Sequence, residues 1–358
     1  MAGENRRREI RKTEEPVKRS LRTAIAFALA SLGLCANAGA KIVTFQIPVA
    51  DGFMFHGMNS KGQVTGCYED TRTGATHGFL VQPDGALTSF DVPVTRTNYP
   101  HEWPEMTCAT GISADGVITG WYALGMTGGA FVRTAEGAIT TFNIGRTANA
   151  NAMNAKGWIV GSYFPDWKRP PRPFLRDPTG ATNVFSVPGS VAGAGPTTVN
   201  RSRAIAGVAI VGYPTFRYQA FLRPAHGKAA LFGDSHSASV QVTGINDAAT
   251  VVGWFKDAGE MQHTIAFFRT GDGTLTAFTG PNGMTDAEAL SINKSGTIVG
   301  NYWNSTSGHG FLRAADGTFT PFDIEGAYST VINLINDKGV IAGNYRNKDG
   351  YFGFIGKP

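Results

Sequence analysis

Charge and cysteine are both scarce in this chain. Charged residues make up 16% of the 358, and there are three cysteines. Too few Cys and His stand at zinc spacing for a finger or ribbon, and no Asp-rich loop of the calcium-binding kind occurs. Nucleophile elbow, P-loop and dinucleotide fingerprint are all missing. "HEWPE" at 101–105 is no zinc-protease motif, because Pro104 forbids the helix that such a motif needs. No cofactor or metal is indicated. Long apolar runs are lacking too, and the longest lies near the start.

That run, "TAIAFALASLGL" at 23–34, follows eight basic residues and precedes "CANAGA". Basic stretch, short apolar stretch and small residues at alternate positions predict a secretory signal peptide over 1–40, cleaved after Ala38 or Ala40. Twelve apolar residues are too few to span a bilayer. The leader holds 8 of 32 basic and 4 of 27 acidic residues, which leaves 24 against 23. The basic balance therefore belongs to the export signal, and nucleic-acid binding is not expected. Residues 41–358 are expected as one secreted, periplasmic or cell-surface domain without an integral membrane segment. Cys67 and Cys108 remain there, and an exported chain makes a disulfide between them plausible, the alternative being two separately buried thiols.

Glycine is what the sequence has in plenty, at 46 residues. It recurs in a pattern: small–apolar–Asn, two residues, Gly, then apolar–apolar–Gly–x–aromatic. Copies begin at Gly57, Gly111, Ala152, Thr198, Gly244, Ser291 and Leu334, the fourth being degraded. Their apolar anchors, Met58, Ile112, Met153, Val199, Ile245, Ile292 and Ile335, are 54, 41, 46, 46, 47 and 43 residues apart. That period is the one of propeller blades. Each copy reads as four strands, with "N-x-x-G" and "Asp-Gly" turns closing two of the connections. The seventh copy stops at its third strand, and "KIVTFQIP" at 41–48 matches the missing fourth. The expected fold is an all-β, seven-bladed β-propeller of four-stranded blades, with the N-terminal strand closing the last blade.

The third-strand tripeptides at His77, Gly129, Gln219, Ile265 and His309, each ending in Phe, together with "GIN…G.IVG.Y", resemble the HAF-type extracellular repeat family. The resemblance spans nearly all of 41–358, although no tripeptide here is a literal H-A-F. It implies an exported bacterial repeat protein and carries no catalytic residues with it.

Variation falls on the second-to-third and fourth-to-first connections, so a site is expected on that face. The longest connection, 93–110, holds Tyr99, His101, Glu102, Trp103 and Glu105. His101, Glu102 and Glu105 are candidate acid–base groups, and Tyr99 and Trp103 candidate sugar contacts. The alternative is a loop packed by its own aromatics. Trp167, Arg169 and Arg172 in blade three, and Tyr213, Arg217 and Tyr218 in blade four, are further candidate ligand contacts. His77 and His309 recur at one repeat position and read as packing. Three functions stay open. The first is a module binding a carbohydrate, another extracellular polymer or a protein. The second is a propeller hydrolase or lyase acting on polysaccharide. The third is a structural surface protein.

Overall fold

The computed structural model describes residues 41–50, 52–93, 104–125, 127–166, 168–233, 239–257, 263–304 and 306–358. Apart from the 3-10 turn Pro281–Gly283, its regular elements are β-strands in four-stranded antiparallel arrangements. In the first unit, Phe53–Met58, Val64–Glu69, Thr76–Val81 and Leu87–Phe90 pair in that order. A single parallel bridge, Thr76 to Met106, joins this unit to the second in one eight-stranded sheet. The last sheet contains Ser329–Ile335, Ile341–Asn347 and Gly350–Lys357. Its fourth member is the first described strand, Lys41–Phe45, in register from Lys41–Lys357 to Phe45–Gly353.

One packing device recurs in every unit and explains the repeated glycine. Gly66, Gly120, Gly161, Gly207, Gly253, Gly300 and Gly343 each lie on a second strand, under a phenylalanine of the third. A Cβ there would collide with a first-strand carbonyl oxygen and press on the ring of Phe79, Phe131, Phe174, Phe221, Phe267, Phe311 or Phe354. These phenylalanines are almost completely buried. Glycine on one strand thus makes room for the largest core side chain of the next.

The units are joined by a hydrogen-bonded circuit of asparagines. Each Asn side-chain oxygen accepts from groups two and four residues on, backbone N–H in both places for Asn154 (Lys156 and Trp158) and the Ser295 hydroxyl with the Thr297 N–H for Asn293. Its Nδ2 donates to the backbone of the next unit: Asn59 to Ser113, Asn154 to Asn200, Asn200 to Asn246, Asn246 to Asn293 and Asn293 to Asn336. Asn336 donates to Asn59. Unit two has Ser113 in this place, and there the backbone N–H of Ala114 bonds Ala155 O. Each of these buried amides thus has a partner for both its oxygen and its nitrogen, as burial requires.

A second join is cationic. Arg133, Arg176, Arg223, Arg269 and Arg313 lie over Phe90, Phe142, Phe185, Phe232 and Phe278 of the preceding unit, 4.4–5.0 Å from the ring centres. Val81 and Gly356 hold this position in units one and seven. There, aromatic pairs take over: Phe45 with Phe53 and Phe55, and Phe322 with Phe354.

The "N-x-x-G" turns need a left-handed residue, which Gly62, Gly116, Gly157, Gly296 and Gly339 supply. Arg203 (φ 71°) and Ala249 (φ 59°) stand in that conformation in units four and five. Ala249→Gly is expected to stabilise the fold by about 0.5–1 kcal/mol, the cost of a left-handed Cβ less the chain entropy of glycine. A raised urea midpoint would register it.

Candidate functional site

Antiparallel pairing puts the short turns at one end of every sheet and the long connections at the other. Groups at the ends of second strands and the starts of third strands therefore share a face with the fourth-to-first connections. In unit one this face carries a histidine–carboxylate pair. The His77 Nδ1–H donates to both oxygens of Asp91, at 2.9 and 3.0 Å. The ring lies 5.3 Å from that of Tyr68, whose hydroxyl meets Ser89 Oγ at 3.0 Å. Beside them, Asp70 is bound by Arg72 at 2.8 and 3.1 Å, which holds its carboxyl down to about 2.

The bond to Asp91 raises the His77 pKa, and the charges of Asp70 and Glu105 add to it against the opposing effect of burial. A folded value above the unfolded one, near 6.5, means that the folded protein holds this proton more tightly. The pair therefore stabilises fully below about pH 6.5, and that stability is lost as pH rises through the folded pKa. Asp91→Asn is expected to flatten this part of the stability–pH profile, read as denaturant midpoints across the neutral range.

The arrangement is repeated in unit six. His309 Nδ1–H donates to Asp323 at 2.9 Å and the ring stacks on Tyr302 at 5.2 Å. There, Nε2 also meets Ser307 Oγ and Asn304 Nδ2, at 2.8 and 2.9 Å. The packing role read for His77 and His309 was incomplete: each also holds a carboxylate. The sequence carried a signal, since His and Asp are separated by 14 residues in both units.

Of the candidates in connection 93–110, Tyr99, His101, Glu102 and Trp103 lie outside the described residues, as does Trp167. Glu105 is not a loop residue. It opens the strand Glu105–Ile112, opposite Leu124, because pairing with Ile118–Leu124 runs further than the repeat pattern implied. Arg169 is already paired, with Nε and the terminal nitrogen both 2.8 Å from Asp166. Arg172 is exposed and begins the strand Arg172–Arg176.

In unit four, three aromatics around the second-to-third connection face solvent. Tyr213 is 83% exposed, Phe216 56% and Tyr218 48%. Tyr213 and Phe216 meet edge to face at 6.1 Å. Arg217 and Tyr218 begin the strand Arg217–Arg223, with Tyr218 opposite Ile210. Exposed aromatic rings of this kind suit a sugar ring or a polar polymer.

A disulfide, Cys67–Cys108, ties units one and two together. Both cysteines lie within strands rather than at their ends, Cys67 in Val64–Glu69 and Cys108 in Glu105–Ile112. His56 Nε2 stands 3.9 Å from Cys67 Sγ. His56 is exposed, yet protein atoms crowd around it enough for lost hydration to lower its pKa.

Among the described residues, no helix is long and apolar enough to cross a membrane. No protein-family model matches the sequence, and no curated protein matches it. Solved structures do. A catalytically inactive variant of virginiamycin B lyase from Staphylococcus aureus, solved with quinupristin, is 15% identical with a TM-score of 0.57, covering 88% of this chain and 99% of that one. A streptogramin B lyase gives 13% and 0.55, covering 88% and 97%. The β-propeller domain of the Trilobed protease from Pyrococcus furiosus gives 11% and 0.55, covering 85% and 94%. At such identities the likeness concerns architecture: an all-β chain of four-stranded antiparallel sheets, of the β-propeller kind.

Proposed function

We propose that this chain is an exported, closed seven-bladed β-propeller that binds a carbohydrate or other extracellular polymer on its long-connection face. The observation that carries the binding reading is the exposure of Tyr213, Phe216 and Tyr218, the first two in edge-to-face contact, around one connection. Large apolar rings are seldom left in water on a single small patch without a partner. The asparagine circuit from Asn59 round to Asn336 and back supports the closed ring. So does the pairing of Lys41–Phe45 with Gly350–Lys357. The signal-like segment over 1–40 and the resemblance to HAF-type repeats support export.

The test is a glycan array probed with residues 41–358. Specific binding is expected, weakened at least about tenfold, or ~1.4 kcal/mol, by Tyr213→Ala combined with Tyr218→Ala. Binding unchanged in that variant would remove the cluster from the site.

A polysaccharide lyase or hydrolase is the second reading. His77 favours it, being bonded to Asp91 with the Glu105 charge nearby. Released unsaturated or reducing ends, lost in His77→Ala with binding intact, would establish it. Against it stands the recurrence of the same pair at His309 and Asp323.

A further inference from the structure

Seven first strands share one irregularity: an extra residue bulges out of the pairing with the second strand. The bulged residues are His56, Thr110, Asn151, Thr197, Thr243, Leu290 and Asn333. In four units the bulge does a structural job. Thr110, Asn151, Thr197 and Thr243 donate to the next unit's Ala150, Pro196, Val242 and Ala289 carbonyls, at 2.7–2.9 Å. His56 is turned elsewhere, toward Cys67 Sγ at 3.9 Å. A bulge re-aims a side chain, and here it aims an imidazole at a pair of sulfurs.

The sulfurs depart from the repeat as well. The places of Cys67 are taken in the other units by Trp121, Ser162, Val208, Trp254, Asn301 and Asn344. Cys67 and Cys108 come from different units and meet face to face where these pack. The ligand atoms of His56, Cys67 and Cys108 all lie within 4.8 Å of one another. Thiolate and imidazole donors at about 2.0–2.3 Å from one ion stand roughly 3.5–4 Å apart, so once the disulfide opens the sulfurs need to part and the imidazole to close in by only about 1–2 Å. Met54 is directly opposite Cys67 in the strand pairing and is 49% exposed, which adds a thioether to the neighbourhood. Two thiolates, one imidazole and a nearby thioether form a soft donor set, which selects copper(I) over harder cations. The sulfurs are buried while His56 reaches solvent, so the imidazole side offers the way in.

We propose that the reduced form of this site binds one copper(I) ion through Cys67, Cys108 and His56, and that the disulfide is its closed, metal-free form. Opening requires two electrons. Two molecules of a small thiol reductant supply them: their S–H hydrogens pass to the Cys67 and Cys108 sulfurs, the S–S bond breaks, and the reductant leaves as its own disulfide. Copper(I) then displaces the two thiol protons and takes the neutral imidazole as third donor.

The experiment uses residues 41–358, reduced with a dithiol, freed of reductant under argon and titrated with copper(I) against a chromophoric bicinchoninate competitor. One ion per chain is expected, together with protection of both thiols from alkylation by mass spectrometry. The oxidised protein should compete no better than buffer. His56→Gln, at an exposed position, should weaken binding about tenfold or more without changing the stoichiometry of reactive thiols. Cys67→Ser with Cys108→Ser should abolish it. Four results would overturn the proposal: reduced protein that binds no tighter than His56→Gln, oxidised protein that binds equally, thiols that alkylate as fast with copper as without, or loss of the native fold on reduction.

Discussion

Phe311→Ala is expected to cost about 3–5 kcal/mol of stability, the range for emptying a fully buried aromatic site. Phe311 is 0% exposed and lies across Gly300 in a cluster with Val252, Ala266, Ala289 and Ile298. Its ring also packs edge to face against Phe278 and Phe319. The site cannot collapse easily. Its floor is the glycine backbone of the second strand, held in pairing on both sides from Ala289 to Gly300 to Phe311. A cavity therefore remains, and the cost includes lost contacts as well as lost transfer energy. Urea unfolding followed by circular dichroism reads the change. A loss under about 1 kcal/mol would mean that the glycine–phenylalanine pair is not what the repeat conserves internally from unit to unit.

Removing residues 41–47 should do comparable damage, with a different signature. Phe45 and Ile47 belong to the cluster of Phe53, Phe55, Val64, Phe79 and Ile355. Losing Phe45 alone carries a cost of about 3–5 kcal/mol. The deletion also strips the partner from Gly350–Lys357 and exposes its backbone as a sheet edge. Such an edge pairs with other chains. The truncated protein is expected to form dimers and larger species by light scattering, and to unfold at lower denaturant than the full domain. A monomer of unchanged stability would contradict the role given to this strand.

The repeat was legible because its causes are local and recur. Glycine under phenylalanine and asparagine opening a tight turn leave the same letters in almost every copy, and strand pairing follows from them. The connections between units left weaker marks. Arg133 and Phe90 are far apart in the chain, and nothing in either stretch alone says that the guanidinium covers the ring. The Asn59 side chain reads as a turn cap, and its second bond, to Ser113, depends on how units stack. Glu105 was misplaced because a strand's end is set by its partner, here Leu124, rather than by its own residues. His77 was read as packing because Asp91 stood at the end of another strand, where only the folded sheet brings the two together. His56 carried no sequence signal beyond its position, since the imidazole acquires its meaning from two cysteines contributed by different units.

The proposed closure of the ring by the strand Lys41–Phe45 is the reading tested most directly. Lys41 and Lys357 are exposed and directly opposite in the terminal pairing. Opposed antiparallel residues stand about 4.5–5.5 Å apart at Cα, within the span a disulfide bridges. The measurement is mild oxidation of the Lys41→Cys, Lys357→Cys variant, followed by peptide mass spectrometry. The account predicts an intramolecular bridge between positions 41 and 357 in nearly all molecules, with a raised denaturation midpoint. Free thiols at both positions, or bridges between separate chains, would contradict it.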